Sequence, residues 1–377
     1  MNFELGCRLC HKVASTGIGA FDKVRAENDT TRYNGSTRRE GGTLAHSGSH
    51  TPRAEVGLLL YPQCHMAMVH GLTDLLQVAS RFSIARGGQP LRITHWRMDR
   101  DGAIVRCHDT HPGDERLPDV VIAPAFALDQ PPGPVDASEA APFAAWLAER
   151  HSSGATLAST GCGVFMLAAT GLLSGRTATT HWLHADRLRA NFPDVKIDVS
   201  KVVIEDGEIL TAGGMMAWTD LGMRLIDRLL GPTVMLEAAQ FWLIDPAGRE
   251  QRHYSIFAPR LTHGDEAILR VQHWLQANPT DPVTVSDMAR QAVMEKRTFL
   301  RRFKAATAIT PTGYLQQLRI GKARELLQFT RRPVVEVAWA VGYSDAASFS
   351  RLFQRLVGLS PIEYRRRFEA SRDAVAA

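Results

Sequence analysis

Val283-Thr-Val-Ser-Asp-Met-Ala-Arg-Gln-Ala292, a short break and Lys296-Arg-Thr-Phe-Leu-Arg-Arg-Phe-Lys-Ala-Ala306 form a pattern that recurs downstream. The second copy reads Val334-Val-Glu-Val-Ala-Trp-Ala-Val341, the break Gly342-Tyr-Ser344, then Ala346-Ala-Ser-Phe-Ser-Arg-Leu-Phe-Gln-Arg355. Each copy is a short apolar-striped helix, a tight turn, and a second helix with aromatics on one face and arginines on the other. This is the pattern of a helix-turn-helix unit, in which one helix braces and the next lies in the DNA major groove. Between the copies, Pro311 opens a long helix through Phe329 with Tyr314, Leu315, Leu318, Leu326 and Leu327 at helical spacing. Such a helix would set the interval between two groove-reading helices, and neighbouring major-groove segments on one duplex face lie about 34 Å apart.

Charge agrees with that reading. Residues 283–368 hold 16 Lys/Arg against 6 Asp/Glu, an excess of ten, whereas the whole chain carries only +5. The remainder is therefore mildly acidic. A basic end suits phosphate contacts and an acidic remainder suits another task. Charge alone would fit a solvated basic surface equally well; its placement on two turn-linked helices favours double-stranded DNA.

At 377 residues the chain has room for two or more domains. No apolar run reaches the length of a membrane span, and Leu58-Leu-Leu-Tyr61 is only a strand's worth. Without a secretory leader pattern, the expected location is the bacterial cytoplasm, with the protein on the nucleoid when bound to DNA. Five scattered cysteines predict no disulfide framework. Cys7 and Cys10 with His11 lack the second pair that a zinc site needs, so neither metal nor cofactor is expected.

Residues 1–53 lack a sustained apolar period and read as a disordered tail. Order begins at Val56-Gly-Leu-Leu-Leu-Tyr61, a continuous apolar run typical of a buried parallel strand. Further strands are expected at 91–94, 120–123, 155–158, 202–205 and 209–212. Helices are expected at 72–80, 140–150, 164–170, 185–191 and 215–230. This alternation predicts an α/β domain over 54–258, flavodoxin-like with a mostly parallel sheet. Gln130-Pro-Pro-Gly-Pro134 reads as a surface loop. Residues 259–264 form a linker. An all-α domain with two helix-turn-helix units follows over 265–370, opening with a helix capped by Asp265 and running to Ala277.

The C-terminal pattern resembles the AraC family of bacterial regulators over residues 265–368. Its most specific parts are Val337-Ala, Val341-Gly-Tyr-Ser, Phe349-Ser-Arg-Leu-Phe, Gly358-Leu-Ser-Pro and Tyr364-Arg. Gly342 suits a turn needing positive φ, and Phe349 and Phe353, like Phe299 and Phe303, should bury against their bracing helices. The exposed positions of the second helices are the expected DNA contacts. These are Lys296, Arg297, Leu300 and Arg301 in the first, and Ala347, Ser348, Arg351 and, nearer the backbone, Arg355 in the second. Arg302, Lys304 and Arg365 to Arg367 are expected to touch phosphate or nothing.

In the first domain, Ala155-Thr-Leu-Ala-Ser-Thr-Gly-Cys-Gly163 followed by a helical run has the strand, sharp turn and helix of a nucleophile elbow. The domain resembles the class I glutamine-amidotransferase-like fold in its PfpI-type branch. Gly171-Leu-Leu-Ser-Gly-Arg-Thr-Ala-Thr-Thr-His-Trp182 is its most recognisable stretch. That branch fused ahead of an AraC-type domain is the architecture of GlxA-type regulators. The sequence departs from the enzymes of the fold: Gly161 stands where the elbow cysteine falls, Cys162 one place later, and Met68 where an acidic partner lies. A thiol without a base or positive field is a poor nucleophile, so no catalytic residue is expected. The alternative is a cysteine-dependent hydrolase or amidase, which a one-residue slip placing Cys162 at the apex would restore.

An elbow without chemistry still shapes a pocket at the carboxyl edge of the sheet, with turn amides and a helix N-terminus suited to an anion. Its candidate lining is Met68, Thr160, Gly161, Cys162, His181, Trp182, Gly213 and Gly214; His181 and Trp182 would serve equally well as core. The Trp182 face also suits a quaternary ammonium. The resemblance implies a homodimeric regulator, more often an activator, that responds to a small nitrogenous metabolite and acts at promoter half-sites, with RNA polymerase a further candidate partner.

Overall fold

The computed structural model describes residues 51–113, 115–125, 137–245 and 250–369, except the side chains of 137–142. The cysteine pair near the N-terminus, the tail to residue 50 and the loop at 130–134 lie outside them.

The first half comprises β1 (Ala54–Leu60), α1 (Met66–Ala85), β2 (Leu91–Met98), β3 (Ile104–Asp109), β4 (Val120–Ala123), α2 (Ala137–Ser152) and β5 (Thr156–Thr160). Next come α3 (Val164–Ala169), β6 (Thr177–Ala178), α4 (Ala185–Asn191), β7 (Lys196–Ile197), β8 (Val203–Asp206), β9 (Ile209–Ala212), α5 (Ala217–Leu230) and α6 (Pro232–Trp242). Among the described residues one sheet has the order β3-β2-β1-β4-β5-β9-β8. β2, β1, β4, β5 and β9 run parallel; β3 and β8 join the two edges antiparallel. The chain steps from β1 to β2 on one side and to β4 on the other, so its direction of growth reverses between β1 and β4. In doubly wound sheets ligands gather in the crevice at that reversal.

Several elements differ from expectation. The helix foreseen at 72–80 is the 20-residue α1, whose buried Met68, Val69, Leu72, Leu75, Leu76 and Ala79 form one continuous stripe. The helix foreseen from 215 starts at Ala217 and stops at Gly231, whose φ of 90° breaks it before Pro232 opens α6. β3 was not foreseen; its alternation is weak because only intermediate and exposed positions occur in it. Beyond its antiparallel ladder to β2, charge ties it in: Arg92, fully buried, pairs with Glu55 at 3.0 Å and with Asp109 of β3 at 2.5 Å. Glu55 also accepts the Thr94 hydroxyl at 2.7 Å, and burial pushes its carboxyl above the usual carboxylate range. Removing one partner of such a buried group would strand the other, at a cost of about 3–5 kcal/mol.

The second half is helical: α7 (Glu266–Ala277), α8 (Val285–Gln291), α9 (Lys296–Thr307), α10 (Pro311–Phe329), α11 (Val334–Ala340), α12 (Ala346–Val357) and α13 (Pro361–Phe368). Asp265 caps α7 by accepting from Ile268 N. Thr284 with Asp287, and Ser360 with Glu363, form reciprocal capping boxes on α8 and α13. Two apolar clusters result. One gathers Ile268, Val271, Met288, Phe299, Phe303, Tyr314 and Leu315, the other Ile320, Leu327, Val337, Val341, Phe349, Phe353 and Tyr364. The spacer α10 supplies Tyr314 and Leu315 to the first and Ile320, Ala323 and Leu327 to the second. One rigid helix is thus a wall of both cores. Each buried Phe, truncated to Ala, would cost about 3–5 kcal/mol.

Candidate functional site

Four phenylalanines, Phe299 and Phe303 on α9 and Phe349 and Phe353 on α12, are fully buried, so the opposite faces of these helices point outward. Lys296, Arg297, Leu300 and Arg301 on α9 are exposed, as are Ala347, Ser348, Arg351 and Arg355 on α12. Asp345 caps α12 by accepting from Ala347 N and Ser348 N, which holds the leading turn in order. Arg351 donates to the Ser348 hydroxyl at 2.9 Å, so two of the expected contact residues already touch.

Three of the other cations have partners within the chain. Arg302 donates two bonds to Asp265 at 3.0 and 2.9 Å, locking α9 to the cap of α7. Arg365 donates to Arg332 O at 2.5 Å and Arg367 to Tyr254 OH at 2.9 Å. These three act within the chain. Their partners lie tens of residues away, and no local pattern announces them.

Arg319 of α10 is a residue that the sequence reading missed. It donates to the carbonyls of Pro279 at 2.8 Å, Asp281 at 2.7 Å and Gly342 at 3.1 Å. Gly342 is held at φ 83°, and a Cβ there would meet Thr280 O at 2.5 Å. One guanidinium thus ties the approach to the first unit to the turn of the second.

In the α/β half the turn after β5 has Gly161 at φ 52°, and Gly161–Gly163 form a single 3-10 turn. The left-handed apex of the elbow is therefore Gly161. Cys162, one residue later, is 5% exposed with ordinary backbone and is not at the apex. Gly163 lies against the main chain beyond β4, where a Cβ would meet Ala123 O at 2.3 Å and Pro124 O at 2.6 Å. Met68 is fully buried, and its sulfur accepts from the Thr160 hydroxyl and from Ala125 N. Both residues flank the apex, and the ideal Cβ position of Gly161 lies 3.0 Å from Ala125 Cβ. Met68, Thr160, Gly161 and Cys162 are thus brought together around the turn. The helix after it, α3, has six residues, too short for the helix-terminus anion site foreseen at the elbow.

The Thr180 hydroxyl donates to Gly161 O at 2.9 Å. His181 and Trp182 next to it are half-buried with rings 5.3 Å apart. Burial, and then the neighbouring His184, lower the His181 pKa. Gly213 is a seat rather than an open wall: a Cβ there would fall 2.0 Å from Gln251 Nε2. Gly214 follows at φ 98°. Two buried acceptors nearby in sequence or contact, Ser159 Oγ and Gln251 Oε1, have no hydrogen-bond partner.

Two open depressions among the described residues lie elsewhere. One of about 350 Å³ is bounded by Thr280, Pro282, Trp339, Gly342, Tyr343 and Ser344. The other, about 330 Å³, lies against Ser80, Arg81, Leu91 and His111. Among the described residues no helix is long and apolar enough to cross a membrane. No His/Cys/Asp/Glu group among them could hold a metal.

A DJ-1/PfpI family model matches residues 132–228 and a helix-turn-helix domain model matches residues 288–367. The chain is 28% identical over 221 residues to the HTH-type transcriptional regulator CdhR of Pseudomonas aeruginosa, covering 58% of this chain and 66% of the relative. It is 32% identical over 212 residues to the HTH-type transcriptional regulator GlxA of Rhizobium meliloti, covering 54% and 63%. In both cases the aligned part is just under two thirds of the relative's length. Among solved structures, an AraC family transcriptional regulator from Pseudomonas putida superposes with a TM-score of 0.40 at 17% identity, over 50% of this chain and 99% of that one.

Proposed function

We propose that this chain, a DJ-1/PfpI domain joined to an AraC-type helix-turn-helix domain, is a sequence-specific DNA-binding transcriptional regulator. The observation that carries the reading is the shared spacer α10, which walls both apolar clusters while α9 and α12 turn Arg301 and Arg351 outward. The relatives named above are HTH-type transcriptional regulators, which supports it. Arginine can bridge the O6 and N7 of guanine bidentately, and the basic excess of the region suits phosphate.

The α/β domain is the sensor, and its site is the elbow. The residues proposed to meet the effector are Met68, Thr160, Gly161, Cys162, His181, Trp182, Gly213 and Gly214. Support comes from the closeness of Met68, Thr160 and Thr180 to the apex and from the unpartnered Ser159 hydroxyl and Gln251 carbonyl. Met68 fills the crevice, so a ligand enters by displacing a flexible thioether, a side chain suited to adapting. The ligand class proposed is a small nitrogenous metabolite: amine or amide N–H groups suit the open acceptors, and a quaternary ammonium suits the Trp182 face. The apex Gly161 offers no nucleophile, which speaks against the hydrolase alternative. We assign residues 54–258 to the sensor and dimerisation domain, 259–264 to the linker and 265–370 to the DNA-binding domain. The working form is a homodimer on paired half-sites in the bacterial cytoplasm, activating transcription through RNA polymerase.

The test is selection of genomic fragments by the purified full chain, then gel shifts against random duplex at fixed salt. Enrichment of a bipartite sequence is expected. Equal affinity for all duplexes sinks the regulator. A thermal-shift panel of amino acids and betaine-like compounds tests the sensor, since a specific ligand must stabilise it.

A further inference from the structure

Residues 250–257 leave the α/β half and touch both the elbow and the spacer helix. Gln251 is 4% exposed. Its side-chain amide donates to Thr179 Oγ1 at 2.9 Å, Thr180 O at 3.0 Å and Lys201 O at 2.9 Å. Thr180 in turn holds the apex carbonyl of Gly161. Gln251 is therefore one residue removed from the elbow turn.

On its other side this segment grips the helical half. Arg324 of α10, 9% exposed, donates to the carbonyls of Ser255 and, at 2.8 Å, Arg252. Tyr254 packs edge-on against Phe368 of α13 at 5.4 Å. Phe257 packs against Tyr314 at 5.3 Å. Gly358, the αL residue that ends α12, has no room for a Cβ because Arg252, Glu250 and His253 lie against it. One short segment thus spans the elbow, both ends of the spacer and the end of the second reading helix.

The docking is under-satisfied. Among the described residues Arg324 has no carboxylate within ion-pair distance; its guanidinium rests on two carbonyls and over the Tyr364 ring at 5.5 Å. Arg324 Nε, His253 Nδ1 and Gln251 Oε1 are buried without partners. A buried cation without a counter-charge and three orphaned polar atoms are costly. A contact of this kind favours the docked arrangement only modestly, which is what a two-state element needs.

We propose that residues 250–257 are the latch that carries the state of the elbow to the DNA-binding half, with Gln251 as the sensor-side anchor and Arg324 as the catch on the spacer. This rests on the reading of the elbow as the effector site. A ligand that shifts Thr180 or Gly213 disturbs the seat of Gln251, draws the Arg252 and Ser255 carbonyls from Arg324, and loosens α10 and α12 from the sensor. By linkage the effect is reciprocal.

Amide hydrogen exchange on the full chain, without DNA or ligand, tests the latch. Gln251→Ala should speed exchange roughly tenfold in residues 311–329 and 346–357, within the range of coupled sites. Arg324→Met should do the same for residues 177–181 and 200–204. Arg331→Met, at an exposed position off the latch, should change neither. Thermal unfolding gates each variant, with Gln251→Glu and Arg324→Lys as the second pair should the first unfold. Changes confined to the mutated half in both directions overturn the proposal. The regulator reading fails separately: reciprocal exchange without any DNA preference leaves the latch standing, and specific DNA binding without reciprocity removes the latch alone.

Discussion

The guanidinium of Arg319 donates to the carbonyl of Gly342 at 3.1 Å across 23 residues of chain. Its remaining nitrogens hold Pro279 and Asp281, so the spacing between the two helix-turn-helix units rests on one side chain as well as on the rigidity of α10.

Arg319→Ala should leave both cores folded but free the units to turn against each other. Affinity for a bipartite site should fall about tenfold, roughly 1.4 kcal/mol, while affinity for a duplex carrying one half-site stays unchanged. Fluorescence anisotropy on the two duplexes at one salt concentration distinguishes these results. An equal loss on both would mean that Arg319 contributes only to stability or charge.

Arg301→Ala and Arg351→Ala should each lower discrimination between the selected site and a mismatched one by about 1–3 kcal/mol, with unfolding unchanged. Arg302→Ala should behave in the opposite way. It loses a partly exposed pair with Asp265, worth at most about 1 kcal/mol, and keeps its discrimination. Competition gel shifts paired with denaturant titrations decide the matter. A base-reading loss from Arg302→Ala would reverse the assignment.

The glycines of the elbow should respond differently. Gly163→Ala drives a methyl into the Ala123 and Pro124 carbonyls and should cost about 3 kcal/mol through overpacking. Gly161→Ala pays mainly for its positive φ, about 1–2 kcal/mol, since only Ala125 Cβ is near. Urea unfolding followed by tryptophan emission measures both. A larger loss at Gly161 would mean the apex is closed more tightly than its geometry implies.

His95 should make the α/β half acid-sensitive. Burial, and then the facing His108 and His70, lower its pKa from 6.5 to about 4, and Thr73 Oγ1 lies 2.9 Å from its Nε2. Between those two pH values the folded state binds fewer protons than the unfolded state. Its contribution is therefore whole above pH 6.5, falls as pH drops, and levels off below about 4. The loss amounts to about 3 kcal/mol. His95→Gln should flatten stability over that window relative to the parent. Parallel pH profiles for the two proteins would refute the assignment.

Much of the helical half was legible because its determinants are local. Phe299 with Phe303 and Phe349 with Phe353 lie four apart, and a helix must place such pairs on one face. All four are fully buried. β1 and β4 were legible for a similar reason: a strand covered on both faces reads as a near-continuous apolar run. Gly161 was identified as the apex by its offset from Gly171, and its φ of 52° agrees. β3 was missed because an edge strand paired only to β2 carries no apolar period.

Periodicity and turn chemistry by themselves determined most of the helices and strands and the position of the elbow, since these follow from backbone geometry and the burial of neighbouring side chains. Only the tertiary structure decided which polar groups hold the pieces together: Arg319 on Gly342, Arg302 on Asp265, Met68 against Thr160, and Gln251 between the elbow and Arg324. The physical reason is that a hydrogen bond between residues 23 to 92 positions apart exists only once the apolar cores have closed and taken water from its partners. No local spacing records that choice.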